Sequence, residues 1–225
     1  KRAVVVNTKK NNLEFWVRRL GWWLMTVLVV VLCLYSAAYF LPGMPFSFRP
    51  DVYPISSFTW FLLAHIGGAM VAALAGPLQF WGHFRLKYKK WHRFLGMSYL
   101  AGVAIAAPAA LIISPISQGG LTTHIGFAIL AMLWAGATLI AYYKIINKQW
   151  RAHQQWMIRS YALTLAFVSL RLWLGGLALT GAPFDEVYQS AAWLCWVPNL
   201  IIAELYLGWR ASAFAGAKLS GNAAT

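Results

Sequence analysis

Long apolar runs separated by short polar connections dominate the chain, and six of them reach the roughly 20 residues needed to cross a hydrocarbon core as a helix. They fall at residues 20–41, 58–81, 93–114, 121–143, 154–179 and 190–209. The connections are short, so the pattern predicts an all-α membrane protein. Its six transmembrane helices would form one domain over residues 20–210, between an N-terminal tail at 1–19 and a C-terminal tail at 211–225. The first run is longer than the apolar stretch of a secretory signal and no clear small-residue cleavage site follows, so it is expected to be a retained anchor.

Composition agrees with this reading: 60% of the 225 residues are hydrophobic and 11% are charged, too oily for a soluble domain of this length. The net charge of +14 would fit a nucleic-acid binder, but its placement points elsewhere. Seventeen of the nineteen basic residues lie before the first run, after the sixth, or around the second and fourth connections; only Arg49 and Arg171 fall on the other side. The positive-inside rule makes the basic side cytoplasmic, with both termini inside. In a bacterial cell this is the inner membrane. The basic loops are expected to meet lipid headgroups, and no aromatic-interleaved groove marks a nucleic-acid partner. Cys33 and Cys195 sit inside apolar runs without CxxC or CxxCH spacing, so covalent haem attachment is not indicated.

Within the apolar runs one frame occurs twice, HIGGAMVA at 65–72 and HIGFAILA at 124–131. Helices 2 and 4 both run inward, which predicts that His65 and His124 share a depth near the outer surface. Helices 3 and 5 run outward and carry His92 and His153 at their inner ends, in KKWHRFLG and WRAHQQWMIRSY. The separations, 27 residues from His65 to His92 and 29 from His124 to His153, extend the repeat, as do Trp91 with Trp150 and Ser98-Tyr99 with Ser160-Tyr161. Two parallel hairpins related by an axis along the membrane normal would make helices 2–5 a four-helix cofactor bundle, with His65 facing His124 and His92 facing His153.

Facing imidazoles between helices are what six-coordinate haem b needs, one neutral nitrogen on each side of the iron. Gly67, Gly68 and Ala72 after His65, Gly126 and Ala128 after His124, and Gly96 after His92 could leave room for a flat macrocycle. Arg93, Arg159 and Arg171 could pair with its carboxylates. Taken singly, each histidine also has a plain reading, as interhelical hydrogen-bonding glue or as an interfacial side chain, and His83 reads as a solvated loop residue. Glu204 and Asn199 are the polar residues of helix 6. A quinone or proton site is one role for them, and pairing of Glu204 with Arg159 at matching depth is the favoured one.

The stretches AHIGGAMVAALAGPLQF, KKWHRFLGMSYLAG, HQQWMIRSYALTLAFVSLRLW and WVPNLIIAE, in that order over residues 58–207, resemble the bacterial membrane-protein family labelled domain of unknown function 2306. That resemblance implies a fold and no activity. The four-histidine pattern over helices 2–5 is separately similar to the cytochrome b561 family. It implies two bis-histidine haems b, six helices and electron transfer across the membrane. The function expected on this reading is a di-haem cytochrome b passing electrons between a quinol or small reductant and an acceptor on the other side, with a larger redox complex as partner. Within the first family, counterparts of His65, His92 and His153 are expected more than one of His124, which favours the inner haem over the outer. A cofactor-free transporter or an assembly subunit of a membrane complex stays open beside this electron-transfer reading.

The charge asymmetry makes a direct prediction. A cysteine placed at Gln118 should react with impermeant reagents added outside intact cells, and one at Lys89 only after the inner face is opened. The reverse labelling would invert the whole assignment.

Overall fold

The computed structural model describes residues 2–41 and 57–222. Arg49 and Asp51 of the first outer connection lie outside the described residues. Among the described residues the chain is helical with no strands, and six helical segments are long and apolar enough to cross a membrane. They are Phe15–Phe40, Phe58–Phe80, Lys89–Ile116, Leu121–Ile146, Trp150–Ala178 and Phe184–Ser212, which makes an all-α, six-span protein. The expected tails are drawn into helices: α1 (Arg2–Ala37) begins at the second residue and α9 (Val197–Asn222) continues past the sixth span.

The expected helix starts shift outward because basic and aromatic residues continue the helices into the headgroup region. The third span, expected from 93, is α4 (Lys89–Ile113), preceded by α2 (Ser57–Phe80) and the short α3 (Gly82–Lys87). The fifth, expected from 154, begins with α6 (Trp150–Thr164). His92 and His153 consequently stand at the same register, each the fourth residue of its helix, with the backbone N–H of His92 donating to Tyr88 and that of His153 to Gln149. Between the hairpins, α5 (Leu121–Ile146) starts after Gly119 and Gly120, whose φ values of 85° and 74° favour residues without a β-carbon.

The last two spans are each broken near mid-membrane. Span 5 divides into α6 and α7 (Ala166–Ala178) at Leu165, and span 6 into α8 (Phe184–Leu194) and α9 at Cys195 and Trp196. The second break has a local cause: Pro198 has no N–H for the Leu194 carbonyl four residues earlier and restricts the residue before it. Asn199 then stabilises the first break from outside, donating from Nδ2 to the Ala162 carbonyl at 3.2 Å while its Oδ1 accepts from Ser169 at 3.0 Å. Pro77 makes a similar gap inside α2 by leaving the Ala73 carbonyl without a helical donor. The Tyr161 hydroxyl donates to that carbonyl at 3.0 Å.

The four central helices close a ring in which α2 packs on α4, α4 on α5, α5 on α6, and α6 on α2. Helix α2 therefore stands opposite α5, and α4 opposite α6, as the paired-hairpin reading expects. Outside the ring α1 covers α2 and touches α7, α8 lies against α5 and α7, and α9 lies against α6.

The α2–α4 contact is a backbone contact. A β-carbon added to Gly68 would sit 2.6 Å from the Gly102 carbonyl oxygen, and one added to Gly102 would sit 2.6 Å from that of Gly68. Ala72 and Ala106 complete the seam, both fully buried. Without a hydrophobic driving force between helices in lipid, such close approach supplies the dispersion contacts that hold them together. Gly96, on the same helix as Gly102, has open space beside it. The two glycines should therefore respond oppositely to substitution. Gly102→Ala should destabilise the protein by about 1–3 kcal/mol through overpacking, while Gly96→Ala should be neutral or stabilising by up to about 1 kcal/mol through helix propensity. Thermal unfolding of the two variants in the same detergent checks this.

Candidate functional site: the four bundle histidines

Three of the four bundle histidines hold a backbone carbonyl. His65 Nδ1–H donates to the Ala106 carbonyl on α4 at 3.0 Å. His153 Nδ1–H donates to the Ala141 carbonyl on α5 at 2.9 Å. In both rings the bond fixes the tautomer and leaves Nε2 with a bare lone pair, the arrangement that supports metal-ligating imidazoles. His124 does the reverse: its Nε2–H donates to the Ser117 carbonyl at 2.8 Å. His92 differs again, because its Nδ1 is buried and has no hydrogen-bond partner.

His92 and His153 lie within electrostatic reach of each other, and Arg85 lies within reach of His92. The Gln79 side-chain amide donates to the His92 carbonyl at 3.0 Å, tying the start of α4 to the end of α2. A β-carbon at Gly96, one turn above His92, would meet nothing within 4 Å. An orphaned ring nitrogen, a second imidazole with its tautomer set, and an uncluttered strip beside them fit a haem or another group needing two neutral nitrogen donors.

The outer pair is not brought together. His65 is bonded at Ala106, seven residues before the end of α4, whereas His124 is bonded at Ser117, beyond that end. The two rings are therefore anchored at different places, one on the α4 backbone and one on the turn after it, and they present opposite nitrogens to those anchors. The small residues expected to leave room are also used. Gly67 faces the Phe40 ring, Gly68 faces the α4 backbone, and Gly126 lies against the Trp193 indole. Packing claims these positions because small residues are what let helices and aromatic rings approach closely. The outer donor set does not fit a bis-histidine haem.

The three arginines proposed as carboxylate partners separate. Arg93 is exposed at the inner rim beside His92. Arg171, near the middle of α7, approaches the Phe167 carbonyl of its own helix at 3.5 Å and lies within electrostatic reach of His65. Arg159 is taken by Glu204, its Nε and Nη2 donating to the two carboxylate oxygens at 2.5 and 2.8 Å, with its guanidinium 4.8 Å from the Trp156 ring centroid. The pair forms as expected and is bidentate, but it is not interior: the two side chains are 22% and 50% exposed, on the lateral face of the bundle between α6 and α9. His83 is exposed as expected, but it lies in the short helix α3 and not in a loop, with its ring 6.1 Å from that of Trp81.

At mid-membrane the bundle holds a polar cluster that sequence reasoning missed. The Tyr99 hydroxyl, fully buried, is hydrogen bonded to Ser160 at 2.6 Å and Thr164 at 2.8 Å. Trp134 Nε1 donates to Thr164 at 2.9 Å, and Thr138 is bonded both to Ser160 and to the Trp134 carbonyl. The signal was present in the one-turn spacings 134/138 and 160/164, which set polar groups on one face of each helix.

These features define a six-span, all-helical membrane protein built on two helical hairpins. The chain belongs to the family described as predicted membrane protein (DUF2306), whose match covers residues 62–207, from α2 into α9. No curated protein and no solved structure matches it.

The Arg159–Glu204 geometry predicts thermodynamic coupling. Glu204→Gln should lower the unfolding midpoint, and adding Arg159→Gln should recover part of that loss, with a coupling of about 1 kcal/mol. Additive losses in the double variant would show that the two side chains do not act as a pair.

Proposed function

We propose that the chain is a b-type membrane cytochrome of a bacterial inner membrane, with His92 and His153 as axial ligands near the cytoplasmic face. The observation that carries this reading is the buried, unpartnered ring nitrogen of His92 beside His153, whose Nδ1–H is already committed to Ala141. A buried imidazole nitrogen without a partner is costly and calls for one. Haem b bound there would supply reversible one-electron chemistry.

The chain's own part is to hold and orient. Gln79 ties down the backbone at His92, and Ala141 fixes the ring of His153. Arg93, one residue beyond His92, offers a forked donor to a propionate at the rim. A quinol or small reductant and a partner redox subunit remain the electron partners of this reading. The sequence pattern favoured two haems, but the geometry supports the inner site only, because His124 is turned to Ser117 and Gly126 is filled by Trp193.

A second reading, a cofactor-free transporter or assembly subunit, is favoured by the breaks in spans 5 and 6 bridged by Asn199. Non-helical backbone at membrane depth is tolerated where it is buried in protein or lines a pathway.

Protein purified from haem-replete cells should show a low-spin b-type spectrum with about one haem per chain. His92→Ala and His153→Ala should each abolish the spectrum or convert it to high spin, whereas His124→Ala should leave it intact. A folded but colourless protein would remove the cytochrome reading and leave the second.

A further inference from the structure

We propose that the inner rim formed by α3 and the first turn of α4, together with the α5–α6 turn, is a binding surface for anionic phospholipid. The inference stands apart from the haem reading. Between Asp51 and Asp185 the sequence has no acidic residue, so neither inner connection carries a counter-ion of its own. Five cations, Arg85, Lys87, Lys89, Lys90 and Arg93, occupy nine consecutive positions in the first connection. Lys144 and Lys148 lie in the second. Glu204, on the same side of the membrane, is held by Arg159.

Two of these cations lie over rings. Lys87 lies 5.4 Å from the Tyr88 centroid and Lys144 lies 5.8 Å from that of Tyr143. So dense a like-charged rim repels itself and concentrates anions, and neither connection supplies counter-charge of its own.

The residues between the cations decide which anion. Leu86 is 72% exposed, and Tyr88, Trp91 and Phe94 are exposed in the same stretch; Tyr143, Ile146 and Trp150 repeat the arrangement in the second connection. An acidic soluble partner or free phosphate would leave these side chains in water. A bilayer interface accommodates both kinds of group at once, phosphate for the lysines and the headgroup–acyl boundary for the rings. The shared chemistry is a phosphate monoanion, and the apolar residues assign it to a lipid.

The test uses the full chain in bilayer nanodiscs of mixed phosphatidylcholine and phosphatidylglycerol, with retained lipid counted by native mass spectrometry. Phosphatidylglycerol should be enriched over phosphatidylcholine by about fivefold or more, and rising salt during exchange should erode the enrichment. Lys87→Gln/Lys89→Gln/Lys90→Gln together should lose most of it, while the same three positions changed to Arg should keep it. Should the glutamine variant fail to fold, the salt series and the arginine variant still read the charge. Equal retention of the two lipids by the unaltered chain would overturn the proposal, as would enrichment that ignores salt. Displacement of the lipid by millimolar inorganic phosphate would reassign the surface to a free anion, and displacement by polyglutamate would reassign it to an acidic protein.

Discussion

Helices α2 and α4 meet backbone to backbone at Gly68 and Gly102, with no room for a β-carbon on either. The rest of the bundle is arranged around that contact. It brings His65 to the Ala106 carbonyl on the facing helix, and it aligns the inner end of α2 so that Gln79 reaches the His92 carbonyl. It also removes Gly68 and Ala72 from any cofactor pocket. A stripe of small residues in a membrane helix can make space or abolish it, and here the second helix takes the space.

A dry interior imposes the second constraint, because a polar group left without a partner has no water to turn to. The gap left by Pro77 is closed by Tyr161, the break in span 5 is held by Asn199, and the hydroxyls at mid-membrane are joined through Tyr99. Each of these bonds crosses between helices, so the same groups that repair local backbone defects also lock α2, α4, α5, α6 and α9 into one arrangement. Against this background the bare Nδ1 of His92 is an exception among the described residues, shared with Thr123 Oγ1 and Trp196 Nε1. The latter two are a hydroxyl and an indole, weaker claims on a ligand than an imidazole nitrogen.

The inner and outer ends of the bundle thereby acquire different characters. At the inner end His92 and His153 lie within electrostatic reach of each other, in a stretch rich in basic residues, and Gly96 has open space beside it. At the outer end Trp193 and Phe40 fill the spaces beside the repeated glycines, and His124 fastens the start of α5 to the turn before it. The duplicated frame is thus used once to join two membrane helices, at His65, and once to hold a turn, at His124. An internal repeat preserves helix order and direction, but the contacts of each copy depend on what packs against it. Here α8 lies against α5, whereas α2 is covered by α1.

Hydrophobic periodicity and charge placement determined the number of spans, their boundaries within a few residues, the pairing of hairpins and the candidate histidines. Those properties depend on how each segment partitions between water and hydrocarbon, which is a local sum over its own residues. The Arg159–Glu204 pair was legible for a related reason, since matching depths on two helices leave opposite charges few other partners. Whether a glycine makes a slot or a seam, whether an imidazole presents Nδ1 or Nε2, and that His65 is anchored on a facing helix while His124 is anchored on a turn were decided only by the tertiary structure. These depend on the rotation and axial offset of one helix against another, and packing between side chains far apart in sequence sets both.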